Sequence, residues 1–151
     1  MTVKAASRKK KSGTIISGEN ATGAAPATGL PDLAWYRDAA SRRRREAHIR
    51  RLCDEIARAF NPEKIILFGS QAYGKPTLES DIDLLVVMPY EGSSFRQAGE
   101  ILKRVIPQIG VLPLDLVVRT TEQVNERLAI GDQFMREILE RGKVIYETAN
   151  G

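Results

Sequence analysis

Asp81-Ile82-Asp83 runs directly into Leu84-Leu85-Val86-Val87, so two carboxylates head a stretch whose side chains demand burial. A short apolar run bounded by turn residues reads as a core strand, here Asp81 to Met88. Side chains alternate along a strand, which puts both carboxylates on one face. Like charges held that close repel, and one is normally driven to protonate. A divalent cation removes the conflict, because carboxylate oxygens are the hard ligands that Mg2+ prefers. The pair therefore points to chemistry rather than to packing.

The rest of the chain supplies partners for that strand. Lys64-Ile65-Ile66-Leu67-Phe68 reads as a strand before it, and Leu114-Asp115-Leu116-Val117-Val118, after Pro113, as a strand behind it. Helices are expected from Asp32 to Phe60, from Phe95 to Val105 with a stop near Pro107, from Glu122 to Ala129 and from Gln133 to Glu140. In the first, Ile49, Leu52, Cys53, Ile56, Ala57 and Phe60 follow the spacing of one apolar face, and Asn61-Pro62 ends it. Gly142 closes the last, and Val144-Ile145-Tyr146 adds a short terminal strand. No repeat is visible. The alternation predicts a small mixed β-sheet flanked by helices, an α/β (α+β) domain.

Composition bounds the function. The 151 residues, 42% of them hydrophobic, suffice for one domain with a real core. No stretch reaches the roughly 18 apolar residues of a membrane span. The N-terminus lacks an apolar signal core, and a single cysteine, Cys53, allows no internal disulfide, which together fit the cytoplasm. One histidine, His48, excludes a site built from several imidazoles; His48 and Cys53 both read as structural. The formal charge of +4 is unevenly spread: +4 in residues 1–31, +3 in 32–60 and −3 in 61–151. Residues 1–31 read as a disordered basic tail and 32–151 as the folded domain. Arg8-Lys9-Lys10-Lys11 and Arg42-Arg43-Arg44-Arg45 read as solvated charge, the alternatives being a nucleic-acid or localisation patch for the first and contact with a polyanion or acidic partner for the second.

Gly69-Ser70, after the first strand, complements the carboxylates. Glycine lets the backbone approach an anion, a helix starting just after it offers free N–H groups, and the Ser70 hydroxyl adds a hydrogen bond. The P-loop pattern is absent. Asp115 opens its strand much as Asp81 opens the second, and if those strands pair, Asp115 faces the same cavity as Asp81 and Asp83. Three carboxylates around one cavity are a usual means of holding two metal ions. Phosphate cradle and metal carboxylates together spell nucleoside-triphosphate chemistry.

Gly69-Ser70, ten residues, Asp81-Ile82-Asp83 and then Asp115 in Leu-Asp-Leu-Val resemble the signature of the polymerase-beta-type nucleotidyltransferase superfamily. The likeness covers roughly residues 45–147 and is strongest to the minimal nucleotidyltransferases, often the antitoxin halves of two-gene modules with helical HEPN ribonucleases. The resemblance implies a polymerase-beta-like fold. It implies Gly69 and Ser70 on the triphosphate of ATP, Asp81 and Asp83 on two Mg2+ ions, and Asp115 on the catalytic one. Many minimal members have arginines in the turn where this chain has Gln71 and Tyr73; Lys75 reads as a solvated loop residue. The expected function is transfer of AMP from ATP to a hydroxyl of a partner protein, a small all-helical HEPN-type toxin. A chain this short leaves no room for an acceptor-binding domain, which favours an acceptor presented by another polypeptide. The alternatives are a weakly catalytic or non-catalytic toxin-binding module, and nucleotidyl transfer to RNA or a small molecule.

Overall fold

A computed structural model of the chain describes residues 2–5, 39–73, 81–110 and 113–149. Strands β1 (Thr2–Ala5), β2 (Lys64–Phe68), β3 (Ile82–Val87), β4 (Leu114–Arg119) and β5 (Lys143–Glu147) form one sheet in the order β1-β4-β3-β2-β5. Helices α1 (Ala39–Phe60), α2 (Ser70–Tyr73), α3 (Ser94–Ile109), α4 (Thr121–Ala129) and α5 (Gln133–Arg141) connect and cover it. The mixed sheet comes from a single parallel pair, β3 with β4, all other neighbours being antiparallel. Parallel neighbours need a crossover of a dozen or more residues, and α3 supplies it.

Strand alternation divides the core in two. Ile65, Leu67, Ile82, Leu84, Val86, Leu114, Leu116 and Val118 turn toward α1 and α3, where they meet Leu52, Ile56, Ile101 and Val105. Ile66, Phe68, Leu85, Val87 and Val117 turn the other way, toward Val124 of α4 and Met135 and Ile138 of α5. Each of these buried aliphatic side chains stabilises the fold by about 1.5–3 kcal/mol relative to leaving it in water. At the C-terminal ends of β3 and β4 the layers are tied by side chains. Tyr90 Oη donates to Gln123 Oε1 at 2.8 Å, Thr121 donates to Glu63, and Lys64 pairs with Glu147 at 2.8 Å.

Several expectations need correction. Thr2–Ala5, assigned from sequence to the disordered tail, pair antiparallel with the outer edge of β4 from Thr2↔Val117 to Ala5↔Leu114. The backbone groups of an otherwise open edge are satisfied that way, a tertiary effect that local composition does not encode. The remainder of the tail, with Arg8–Lys11, and the start of the first expected helix lie outside the described residues. Helix α3 passes Pro107 instead of stopping there. The lost donor sits on the exposed side only two residues from the end, where Gly110 closes the helix by donating to the Ile106 carbonyl at 2.8 Å. Arg42, Arg43 and Arg44 are solvent-exposed as expected, but Arg45 is buried.

Cys53 and His48 occupy structural positions. Cys53 is buried in the α1 face of the core, and desolvation, reinforced by Asp54, pushes its thiol up to about 12. Burial and Arg51 hold the His48 imidazole below its ordinary range. Only the thiolate reacts with disulfide reagents. Cys53 is therefore expected to stay unlabelled by Ellman's reagent in the native protein at pH 8 and to react stoichiometrically once urea unfolds it. Fast labelling of the native state would show that the α1 face is open.

Candidate active site

The core alternation determines where the carboxylates go. Ile82 is fully buried against α1 and α3, so Asp81 and Asp83 on either side of it take the opposite face. Leu114 and Leu116 fix Asp115 in the same manner. In the parallel pairing Asp83 lies directly across from Asp115, and on its other side Asp83 is the partner of Phe68. The row Phe68–Asp83–Asp115 thus crosses three strands at one end of the sheet. Asp81 stands one residue before β3, whose first residue, Ile82, donates to the Pro113 carbonyl at 2.7 Å. Asp81 and Asp83 are half-buried, while Asp115 is only 9% exposed.

Neighbouring strands run about 4.8 Å apart, and like charges directly opposite each other destabilise a sheet. Asp115 is the more deeply buried of the two, so a charge there feels its neighbours more strongly than it would in water. The donor chemistry fits a hard divalent cation. Among the described residues no three His, Cys, Asp or Glu side chains converge into a ready-made metal cage. Mg2+ does not require one: it usually binds through one or two carboxylates, keeps several waters and takes substrate phosphates as further ligands. A facing Asp pair with a third carboxylate at the strand entrance suits that mode.

The Gly69-Ser70 turn lies beside this row because β2 ends on the Asp83 register. Gly69 has φ +69°, a left-handed conformation that other L-residues adopt only at a cost. A Cβ there would fall on Oδ2 of Asp83 and lie 3.1 Å from its Cγ. The anion that Gly69 admits is thus first of all the protein's own carboxylate. Ser70 begins α2, a single turn in which Ala72 and Tyr73 donate to the Gly69 carbonyl at 3.0 and 3.2 Å. Among the described residues α2 is one turn, Ser70–Tyr73. Lys75 lies outside the described residues. Sequence reasoning missed Arg141, whose guanidinium carbon stands 4.2 Å from the centroid of the Tyr73 ring. Its partner is 68 positions away, and no local pattern connects the two.

Comparison with known proteins identifies the family. The nucleotidyltransferase domain family model matches residues 49–146, which include both core faces and all five expected site residues. The chain belongs to this nucleotidyltransferase family. It is 37% identical over 84 residues to the protein of Methanocaldococcus jannaschii named "Putative protein adenylyltransferase MJ0604", covering 56% of this chain and 78% of that one. The crystal structure of a nucleotidyltransferase from Sulfolobus solfataricus, titled "putative", superposes with a TM-score of 0.52. That match covers 82% of this chain and 96% of the other at 20% identity, and it supports the fold alone.

Gly69→Ala combines left-handed strain with displacement of the Asp83 carboxylate, and is expected to lower unfolding stability by about 1–3 kcal/mol. In an Asp83→Ala background the same substitution is expected to cost less, because only the strain remains. Urea denaturation of the four proteins measures the difference. Strict additivity would rule out the Gly69–Asp83 contact.

Proposed function

We propose that the chain transfers AMP from ATP to a hydroxyl of a partner protein, and that this partner is a small all-helical toxin of the HEPN type for which the chain is the antitoxin. The observation that carries the reading is the register of Asp83 on Asp115 beside the Gly69-Ser70 turn. The protein-directed part is supported by the adenylyltransferase name of the M. jannaschii relative.

In this reading Asp81, Asp83 and Asp115 hold Mg2+, and Gly69 and Ser70 orient the triphosphate. When bound, Mg2+ neutralises phosphate charge and lowers the pKa of the acceptor hydroxyl. The acceptor oxygen bonds to the α-phosphorus as the bond to the bridging oxygen breaks; pyrophosphate leaves and the hydroxyl proton passes to solvent. The residues contribute position and electrostatics, which is most of what phosphoryl-type transfer requires.

Incubating the protein with labelled ATP, Mg2+ and the product of the adjacent gene, followed by mass spectrometry, is expected to reveal AMP on a tyrosine of that product. Asp81→Asn and Asp83→Asn are expected to lower transfer by orders of magnitude with the fold retained by circular dichroism. Ser70→Ala should be milder, since one neutral hydrogen bond contributes about 0.5–1.5 kcal/mol. Label found only on RNA or on a small molecule would refute the protein acceptor.

A further inference from the structure

The Gly69-Ser70 turn offers N–H groups and a hydroxyl but no positive charge, and residues 61–151 carry thirteen acidic against ten basic side chains. A polyphosphate arriving there meets carboxylates on one side and needs a cation on the other. The fold brings one in from near the end of the chain. Arg141 is the last residue of α5, and its guanidinium lies over the ring of Tyr73. Tyr73 closes the turn that begins at Gly69, and it stands three positions after Ser70, the spacing of side-chain neighbours on a helical turn.

The backbone around Arg141 is held at this end of the sheet. A Cβ on Gly142 would meet Ile66 Cγ2 at 2.6 Å and the Leu67 carbonyl oxygen at 3.1 Å, so α5 is pressed onto β2. Lys143 pairs with Leu67, one residue before the Phe68–Asp83 pair. Phe134, two turns earlier on α5, packs edge-on against Phe68 with ring centroids 5.7 Å apart. The approach of Arg141 to the turn is therefore set by packing along α5 and β5 as well as by a long side chain.

We propose that Arg141, steered by Tyr73, binds the triphosphate tail of the nucleotide together with the Gly69-Ser70 turn. This inference rests on the nucleotide-binding part of the function proposed above. Arginine suits the task because its planar fork meets phosphate oxygens two at a time and keeps its charge while stacked on a ring. Its existing partner is weak: Glu137 Oε1 lies 2.9 Å from Arg141 Nη1, with the side chains 45% and 55% exposed. Such solvated i,i+4 pairs are readily outcompeted, and a multiply charged phosphate chain draws the guanidinium away from Glu137.

Isothermal titration of the full chain with Mg-ATP, and separately with Mg-tripolyphosphate, tests this without an acceptor protein. Arg141→Ala is expected to weaken both ligands by roughly 10- to 100-fold, the loss of one charge-assisted phosphate contact. Arg141→Lys should lose less, Glu137→Gln should bind at least as tightly as the wild type, and the melting temperatures of the ligand-free variants should stay together. Wild-type affinity in Arg141→Ala would overturn the inference while leaving the nucleotide reading intact. So would equal losses in the Ala and Lys variants accompanied by a fall in melting temperature, which would mark a structural role. A wild-type protein that binds neither ligand would overturn the nucleotide reading itself, and this inference with it.

Discussion

The site depends on the register of one parallel strand pair. Ile82, Leu84 and Val86 of β3 must meet the same helical layer as Leu114, Leu116 and Val118 of β4. With those six side chains buried, Asp83 and Asp115 have no choice but to stand next to each other on the other face. A slip of one residue would turn a carboxylate into the layer under α1 and α3, where burying an unpaired charge is prohibitive. Core packing thus sets two carboxylates side by side at that end of the sheet.

The two ends of the sheet divide the labour. At the C-terminal ends of β3 and β4, Glu63, Thr121, Tyr90 and Gln123 knit loops to helices through half-buried hydrogen bonds. The opposite end holds the Asp row, the Gly69 turn and the C-terminus of α5, with exposed or half-exposed side chains at Ser70, Gln71 and Arg141. Rigidity at one end and accessible polar groups at the other are what a scaffold for a reactive centre requires.

Much of this was legible in the sequence, for identifiable reasons. The run at Lys64–Phe68 and the stretch behind Asp81 are continuous apolar segments bounded by turn residues, and α1 carries a period-3.6 stripe from Ile49 to Phe60, so these elements fall where the pattern puts them. The meeting of Asp83 and Asp115 followed from assuming that successive strands pair. Besides the contact of Arg141 with Tyr73, three features were not legible. The pairing of Thr2–Ala5 with β4 is a long-range edge contact without a local signature. The passage of α3 through Pro107 depends on how near the helix end lies and on which side is solvated. Burial of Arg45 within a run of four arginines is decided by the helix's rotation against the core, which composition cannot report.

The outer strand β5 has a consequence for how other polypeptides can approach. It carries a register irregularity opposite Ile65 and Ile66, begins with exposed Lys143 and ends with exposed Glu147. Val144, between them, is 48% exposed. A short, irregular, charge-flanked margin is a poor template for an incoming strand. Extending the sheet into a ribbon by main-chain annealing is disfavoured on that side.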